Sequence, residues 1–483
     1  MLKFRSFNSL DKLAITLIIL LTLMMGLLIM GGTACGDECL FHAGAKVNSF
    51  SWQERTLGSQ DRAFILGFNR PMDRLSVEEN LAIAPPLPGK ISWSGLRLAY
   101  TLDQPIPYGE EYQITLSAAR ERFPNQEQAG AEIQPFKALF SSRDRALAYI
   151  GTEGKEQGRL VVYNFTRQQS KILTPPNLVV FEFKPYPQGD RLLFSASDRT
   201  AGAKGLQQLQ LYSVSTEFDL PENTSPEIKL ILDNQTYQNN KFDLAQDGKT
   251  IVVQRLNRNQ PQDYGLWQLS DRQPPELITS AQVGDFLITP DSQTVAVAQG
   301  EGISLLPLET EAEPIDFLSR YGQVIDFSPD GTGAVMVDFH TDDADLRYTQ
   351  SLVYVSNQGK AQELLNTDGS IQNCQFSPTA QDLYCWLTEL EKGEIYAEKP
   401  YLAEINLESA KVKTIVQLPN YQESKLSVAP DGLGILFEKT QNNQAPTSAN
   451  QQNTIWLYLP SGNTAESLIQ PLPLMGFHPQ WLP

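Results

Sequence analysis

The side chains that could carry out chemistry in this chain are few and widely separated. Its histidines are His42, His340 and His478, and none lies in the paired spacing that holds zinc on one helix face. The Gly-x-Ser-x-Gly turn of a serine hydrolase, the glycine-rich phosphate loops and Cys-x-x-Cys are absent from the sequence. We therefore predict no catalytic residue, no cofactor and no enzymatic activity.

One acidic cluster, formed by Asp342, Asp343 and Asp345, follows His340 on a polar loop between two predicted strands. Carboxylates at this spacing could supply oxygen ligands to calcium, but the loop lacks the glycine and the final glutamate of an EF-hand. A solvated acidic loop is the alternative that we favour. We predict no metal site and keep these three aspartates as the only candidate ligands.

Two cysteines flank a turn in the segment NCQFSPTAQDLYCWL. If Phe376 pairs with Leu383 across that turn, Cys374 faces Cys385, at a Cα separation within disulfide reach. The sequence therefore predicts a disulfide between Cys374 and Cys385, with two reduced core cysteines as the alternative. Cys35 and Cys39 could pair with each other, carry lipid or do neither.

An apolar run over residues 13–32 contains no charged side chain, and about 20 such residues span a bilayer core. Lys3, Arg5 and Lys12 precede it, so the positive-inside rule places residues 1–12 in the cytoplasm as a basic tail. We predict an uncleaved signal anchor over 13–32, a linker over 33–42 and an extracytoplasmic, periplasmic body. A cleaved signal peptide is one alternative. The other is a lipoprotein signal, which Gly32-Thr33-Ala34-Cys35 resembles and which would place lipid on Cys35.

The composition excludes one large class of partners. The net charge is −18, and the basic tail contributes positive charge, so the exported body is more acidic still. Such a body lacks the basic surface that attracts nucleic acid. We expect no nucleic-acid partner.

A repeat organises most of the remaining chain. VIDFSPDGTGAVMVDF, from Val324, has an apolar strand, a Ser-Pro-Asp-Gly turn and a second apolar strand, and related segments recur. Proline, aspartate and glycine each favour a tight turn, so we interpret Asp291, Asp330 and Asp431 as structural. The first strands of these hairpins are anchored by apolar side chains at Phe183, Leu244, Ile288, Phe327, Phe376 and Val428.

Each hairpin is followed by a third strand and often a fourth, which is the period of β-propeller blades. A further unit beginning at RALAYIG, residues 145–151, lacks its first strand. We predict that the C-terminal segment MGFHPQWLP supplies it, because Phe477-His478-Pro479 echoes Phe-Ser-Pro, and that the ring is thereby closed. The prediction is an all-β fold with a propeller of seven blades, or six to eight, over residues 143–483.

These segments resemble the WD-like repeats of TolB-type propellers, with Phe327 to Gly331 showing the complete Phe-Ser-Pro-Asp-Gly motif. The resemblance implies the propeller fold and a habit of binding proteins or peptides on one face. The additional N-terminal α/β domain of TolB has no counterpart in this sequence.

Residues 43–142 show short alternating strands that predict a small β-sandwich. Phe68-Asn69-Arg70-Pro71-Met72-Asp73, with Trp93 and Tyr112, resembles bacterial immunoglobulin-like domains of the surface-layer type. That resemblance implies a spacer module in which Trp93 and Tyr112 are core aromatics.

Two functions from different classes follow. The first is a membrane-anchored interaction or scaffold protein whose propeller face binds a protein, peptide or glycan. The second is a hydrolase- or lactonase-like enzyme, or a small-ligand binder, that uses carboxylates converging on the central channel. A channel lined by carboxylates would support the second, and one lined by apolar and hydroxyl side chains would remove it.

Overall fold

The computed structural model of the chain describes most of its residues. The described residues are 15–25, 44–122, 131–216, 226–270, 273–281, 283–300, 302–308, 316–341, 343, 345–391, 397–418, 424–440, 453–460 and 468–483. They divide into two compact units. The first comprises Met1–Arg55, Ala63–Thr101 and Tyr112–Phe140, and the second comprises Thr56–Arg62, Leu102–Glu111 and Ser141–Pro483. Two short segments within the predicted sandwich, 56–62 and 102–111, thus belong to the propeller unit.

Helix α1 covers residues 15–25, inside the predicted membrane anchor. Its leucine, isoleucine and methionine side chains are exposed, with Leu20 at 64%. No helix within the described ranges is both long enough and apolar enough to cross a membrane.

The first unit contains most of a series of short strands and one further helix. In chain order the elements are β1 (Val47–Phe50), β2 (Thr56–Leu57), β3 (Ala63–Phe68), α2 (Arg74–Asn80), β4 (Leu81–Ala84), β5 (Gly89–Ser94), β6 (Arg97–Leu102), β7 (Glu111–Leu116) and β8 (Phe136–Ser142). The strands form two four-stranded sheets, β1-β3-β6-β5 and β2-β8-β7-β4. The Pro-Met turn follows β3 as predicted, and Asp73 then caps α2 by accepting from Leu75 N.

The two sheets of the first unit pack through aromatic side chains. The ring of Phe140, on β8, lies 5.9 Å from that of Phe50, on β1, and 5.2 Å from that of Tyr112. Tyr112 is 2% exposed, as predicted for a core residue. The prediction for Trp93 was wrong: it is only partly buried, and its Nε1 donates to Glu78 at 2.8 Å. Trp52, 1% exposed, is a core indole instead.

The second unit is a β-propeller made of consecutive four-stranded antiparallel sheets. Five of them are β12-β13-β14-β15, β16-β17-β18-β19, β20-β21-β22-β23, β24-β25-β26-β27 and β28-β29-β30-β31. Their strands are β12 (Leu178–Pro185), β13 (Arg191–Asp198), β14 (Gln210–Ser215), β15 (Ile228–Leu232), β16 (Tyr237–Leu244), β17 (Ile251–Asn257), β18 (Tyr264–Leu269), β19 (Glu276–Thr279), β20 (Phe286–Ile288), β21 (Thr294–Gln299), β22 (Gly302–Pro307), β23 (Asp316–Leu318), β24 (Gln323–Phe327), β25 (Gly333–Asp338), β26 (Gln350–Ser356), β27 (Ala361–Thr367), β28 (Ile371–Phe376), β29 (Asp382–Leu390), β30 (Glu398–Asn406) and β31 (Val412–Gln417).

The two ends of the propeller share one sheet, ordered β11-β10-β9-β35-β34-β33-β32. Its strands are β9 (Ala146–Gly151), β10 (Leu160–Asn164), β11 (Gln169–Ile172), β32 (Leu426–Val428), β33 (Ile435–Thr440), β34 (Asn453–Leu459) and β35 (Leu468–Trp481). The first half of β35 pairs with β34, and the second half pairs with β9, matching Trp481 with Leu147. One continuous strand is therefore the outermost strand of one blade and the innermost strand of the next.

Apolar clusters lie between neighbouring sheets of the propeller. On β25, Val335 and Val337 pack toward β28–β30, whereas Ala334 and Met336 pack toward β21 and β22. A middle strand is buried on both faces, so it reads as a nearly continuous apolar run. The cluster containing Leu147 and Leu436 holds side chains from the first and the last blade, which share one sheet.

The cysteine register is as predicted: Phe376 pairs with Leu383 and Cys374 with Cys385. The structure joins the two cysteines in a disulfide, with Cα atoms 4.1 Å apart. Both residues lie in the apolar cluster between the β24–β27 and β28–β31 sheets.

Replacing both cysteines by alanine, as C374A/C385A, is expected to lower the free energy of unfolding by about 2–3 kcal/mol, because the crosslink restricts the unfolded chain. Urea unfolding in non-reducing buffer measures the loss. Addition of dithiothreitol should lower the midpoint of the natural protein toward that of the variant, which also loses two buried sulfur atoms. An unfolding midpoint of the natural protein that does not change on reduction would contradict a stabilising disulfide.

Candidate functional site

The innermost strand of each blade ends in a turn with the same hydrogen bonds. These turns show which residues are in equivalent positions in different blades. In the β24–β25 hairpin, Ser328 N donates to Gly333 O and Gly331 N donates to Ser328 O, and the other hairpins repeat this pattern. We call the residue just before each turn the anchor. The anchors are Pro185, Leu244, Ile288, Phe327, Phe376, Val428 and, from Leu482 N donating to Ala146 O, Trp481.

This alignment corrects two sequence-based assignments. Pro185, not Phe183, corresponds to Phe327, because the turn of that hairpin begins at Tyr186. Trp481, not Phe477, corresponds to Phe327 in the closing strand. Phe477-His478-Pro479 is therefore a coincidental echo of the turn motif, four residues out of phase.

The residue before each anchor links neighbouring innermost strands. In four of the innermost strands its side-chain oxygen accepts from the backbone N of the anchor in the next strand, and we call these residues the staples. The bonds are Asp243 to Ile288 N at 2.7 Å, Asp326 to Phe376 N at 3.1 Å, Gln375 to Val428 N at 2.9 Å and Ser427 to Trp481 N at 3.0 Å. Aspartate, glutamine and serine serve equally well here, because only an acceptor oxygen is required.

The residue three positions before each anchor belongs to a second layer, in which most side chains are charged or titratable. We call five of these residues the charged layer: Glu182, Lys241, Asp285, Lys425 and His478. Lys425 pairs with Glu182 and Lys241 pairs with Asp285, and these four side chains are between 34% and 41% exposed. These four side chains are thus more accessible than the staples Asp243 and Ser427, which are buried.

The two layers converge from different blades. Lys184, on β12, forms an ion pair with Asp243, on β16, and also acts electrostatically on Asp326, on β24. Glu182 interacts with Lys425 and His478, which lie at the other end of the ring in sequence. We refer to the charged layer, the staples Asp243 and Asp326, Lys184 and Glu438 together as the axial cluster. It contains the convergent carboxylates that a channel site requires, together with three lysines.

Burial perturbs several groups of the axial cluster. It raises the pKa of Asp326 to about 7, against the N–H groups of Phe376 and Phe327, which act in the opposite direction. It raises the pKa of Glu438 to about 7, although His478 N and Lys425 N both donate to this carboxylate. Partial burial, followed by the charge of Lys184, lowers the pKa of Lys241 to about 8.

His478 completes this set as a neutral imidazole. Burial, followed by the charge of Lys425, lowers the pKa of His478 to about 4. Its Nδ1 is buried, has no hydrogen-bond partner and lies 4.0 Å from Glu182 Oε1. The cluster could therefore exchange protons near neutral pH, but Asp326 and Glu438 already accept backbone N–H groups at both carboxylate oxygens. Geometry favours binding and structure over proton transfer at these two residues.

The variant D326N should gain stability relative to the natural protein as pH rises from 5 to 8, by about 1–2 kcal/mol. An acid with a raised pKa binds more protons when folded than when unfolded between about 4 and 7, so its contribution to stability falls as pH rises through that window. Urea unfolding at several pH values measures the difference. In the control D330N, the natural carboxylate has a lowered pKa, so its effect lies below this pH range and the difference should stay constant.

A Ser-His-Asp arrangement that the sequence did not reveal lies on the β24–β27 sheet. His340 Nε2 is 2.9 Å from Ser351 Oγ, and its Nδ1 is 3.6 Å from Asp338 Oδ1. Ser351 is fully buried, donates to Glu363 Oε2 and accepts from Asn366 Nδ2. A nucleophile must reach its substrate, so this network serves to hold the loop and not to catalyse.

The acidic loop is only partly described, and one of its carboxylates caps the local backbone. Asp342 lies outside the described residues, and Asp343 Oδ1 accepts from Asp345 N at 2.9 Å and Leu346 N at 3.4 Å. No cluster of three metal-ligating side chains occurs within the described part of the chain. Cys35 and His42 also lie outside the described residues.

The turn aspartates are structural, as predicted. Asp291 accepts from Gln293 N and Asp330 accepts from Thr332 N, each within its own turn. Asp431 accepts from Leu433 N through Oδ1, and its Oδ2 receives Tyr108 N and Arg145 Nη2. Asp431 therefore also fastens the 102–111 segment within the propeller unit.

A groove of about 730 Å³ lies along the β12–β15 and β16–β19 sheets. It is lined by the turns of both hairpins, including Tyr186, Arg191 and Asp247. Asp247 caps its own turn by accepting from Lys249 N and Thr250 N, so its carboxylate is committed to the fold.

Comparison with known proteins gives likenesses of fold only. No family model matches the chain, and no curated protein matches it. The chain is similar to an oligogalacturonate lyase from Vibrio parahaemolyticus, with 12% identity and a TM-score of 0.45, over 58% of this chain and 80% of that one. It is also similar to TolB from Acinetobacter baumannii, with 11% identity and a TM-score of 0.41, over 84% of this chain and 83% of that one. No activity or partner is carried over from either protein.

Proposed function

We propose that this protein is a membrane-anchored, extracytoplasmic interaction protein whose propeller binds a protein or peptide at the face bearing the charged layer. In this proposal the propeller has seven blades, and the first unit is an immunoglobulin-like spacer of the surface-layer type. The observation that carries it is the contrast within the axial cluster. The staples are committed to backbone N–H groups, whereas the ion pairs Lys425–Glu182 and Lys241–Asp285 remain more than one-third exposed.

Partly exposed ion pairs suit recognition because a partner can exchange them for its own charges at little net cost. Each exposed pair contributes about 0–1 kcal/mol, so its opening is inexpensive, while complementary charges still select the partner and its orientation. A propeller also holds such a ring of side chains rigidly. The expected partner therefore presents both acidic and basic side chains.

The binding test compares capture of membrane proteins by the natural chain and by the double variant K241Q/K425Q. The variant should lose one or more specific partners, and capture by the natural chain should weaken as salt increases. K155Q/K411Q is a matched control, because it removes two exposed lysines elsewhere on the same unit. If all three proteins capture the same partners equally well, the charged layer is not the binding site.

Membrane attachment and the cellular compartment form the second part of the proposal. The apolar segment 13–32 supports membrane attachment, and the Cys374–Cys385 bond suits an oxidising compartment. Protease protection in oriented vesicles and mass spectrometry of the mature N-terminus test both points. An intact N-terminus with a protease-accessible body outside the cytoplasm is expected, and a diacylated Cys35 would replace the anchor with a lipid.

A small-ligand or hydrolytic function is the second candidate, and the raised pKa values of Asp326 and Glu438 favour it. General acids and bases are commonly carboxyl groups whose pKa values are shifted toward neutrality. The test is a screen of lactones and glycosides with the natural protein, D326N and E438Q. Turnover that both substitutions abolish, with folding intact, would favour this candidate over the first.

A further inference from the structure

The β16–β19 sheet contains a buried arginine that forms no ion pair with the described residues. Arg255, on β17, is 7% exposed, and within the described residues no carboxylate oxygen lies within ion-pair distance of it and no acceptor is hydrogen-bonded to it. Its Nε is buried and unpartnered. Burying a charged group costs several kcal/mol unless the charge is paired and hydrogen-bonded. An arginine in this state has room in its hydrogen bonding for an acceptor, and a negatively charged acceptor would stabilise it most.

Aromatic rings form the walls around this guanidinium. Its central carbon lies 4.2 Å from the ring centroid of Tyr237 and 5.3 Å from that of Trp267, and the two rings are 5.3 Å apart. Both rings are only partly buried. Cation–π contact accounts for part of the stability of the buried charge but supplies no hydrogen-bond acceptor to its N–H groups.

Two further polar atoms beside Arg255 are also without partners. Asn239, which is directly opposite Arg255 across the β16–β17 pair, is 1% exposed and has an unpartnered Oδ1. The indole Nε1 of Trp267 is likewise buried and unpartnered. The guanidinium and the indole N–H are therefore two donors on one side of a sheet, beside aromatic walls, whereas the Asn239 oxygen is an acceptor and would not bind an anion.

The nearest negative charges limit what could bind. Asp233 and Asp263 act on Arg255 electrostatically without pairing with it. Asp263 Oδ2 accepts from Tyr237 Oη at 2.7 Å and Asn257 Nδ2 at 2.9 Å, and Asp233 Oδ1 accepts from Gln235 N at 3.0 Å. These carboxylates repel a doubly charged anion such as phosphate more than they repel a monoanion.

We propose that Arg255, Tyr237 and Trp267 form a site for a planar carboxylate, which accepts from the guanidinium and the indole N–H, and whose apolar or ring-shaped neighbour stacks on the aromatic walls. Arginine pairs with a carboxylate through two parallel N–H···O bonds, and this geometry needs the fork that Arg255 presents. The carboxylate could belong to a small organic acid or to the C-terminus of a peptide. This site is separate from the axial cluster and goes beyond the proposed function.

The test measures binding of benzoate, acetate, phosphate and chloride to the full-length protein in detergent, at matched ionic strength, by thermal shift and tryptophan fluorescence. Benzoate should bind more tightly than acetate, and phosphate should bind no better than chloride. R255K should weaken benzoate binding by about tenfold, because it keeps the charge but loses the fork. W267F should remove most of the fluorescence change while leaving a weakened thermal shift.

The controls separate a binding site from a packing role. R320K alters an exposed arginine elsewhere on the propeller and should leave benzoate binding unchanged. Equal binding of benzoate by the natural protein and R255K, or no effect of any carboxylate beyond that of chloride, would show that Arg255 only packs against its rings. Peptides ending in a free or an amidated phenylalanine distinguish the two sources: preference for the free form indicates a peptide C-terminus, and binding of benzoate alone indicates a small acid.

Discussion

Deletion of residues 476–483 is expected to leave the propeller unit without a stable fold. These residues pair with β9, matching Gly476 with Gly151 and Trp481 with Leu147, and they bury Trp481 to 5% exposure and Leu482 to 7%. Burial of two large apolar side chains alone accounts for about 4 kcal/mol, and the deletion also exposes the edge of β9. A typical domain is stable by only about 5–15 kcal/mol. The lost burial and the unpaired edge of β9 together are therefore expected to exceed the stability of a ring that is closed by a single strand.

The hydrogen bonds lost with that segment add to the effect. Trp481 N donates to Ser427 Oγ and His478 N donates to Glu438 Oε2, so the deletion also removes two bonds between the closing segment and the last blade. Circular dichroism, urea unfolding and limited proteolysis check the outcome. L468S alters a side chain that is 48% exposed at the start of the same strand, and it should unfold nearly as the natural protein does. A truncated protein with an unchanged cooperative transition would show that the ring is stable without its closing strand.

Replacing Lys184 by methionine is expected to destabilise the protein by about 3 kcal/mol. Asp243 has only 6% side-chain exposure and is the ion-pair partner of Lys184, so K184M leaves a buried carboxylate without its counter-charge. The aspartate keeps the N–H bonds from Leu244 and Ile288, which places the loss at the lower end of the range for a broken buried pair.

A second substitution tests the cause of that loss. The double variant K184M/D243N removes the uncompensated charge but keeps an oxygen to accept Ile288 N–H, so it should recover at least half of the lost stability. K413M breaks the more exposed pair with Glu404 and should cost no more than about 1 kcal/mol. Urea midpoints at neutral pH give all three values. A double variant that is no more stable than K184M would show that lost packing, not charge, is responsible.

The blade hairpins could be predicted from the sequence because their cause is local. Apolar strands flank turns whose Pro, Asp and Gly residues have known backbone preferences, and Asp330 and Asp291 cap those turns as expected. The cysteine register followed from the same turn geometry, since one pair of opposed residues fixes all the others in a hairpin. The strand missing from the first blade could be anticipated by counting strands, although the residues that align it were assigned four positions out of phase.

The axial cluster could not be predicted, because the requirement at each position is a hydrogen-bond acceptor or a matching charge supplied by another blade. The equivalent positions of the staples carry three different residue types, in Asp243, Asp326, Gln375 and Ser427, so no motif repeats. Lys184 occupies the corresponding position in its own strand and provides a cation instead. These roles depend on a neighbour more than 40 residues away in sequence.

The sequence alone determined the strands, the turns, the all-β class and the pairing of the cysteines, because each depends on residues within a few positions of one another. Only the tertiary structure decided which polar side chains converge on the axis, that Trp52 is buried more deeply than Trp93, and that Arg255 is buried with an unpartnered Nε. Burial, pKa and ion pairing depend on what surrounds a side chain in space. In a ring of sheets those surroundings come from blades that are distant along the chain.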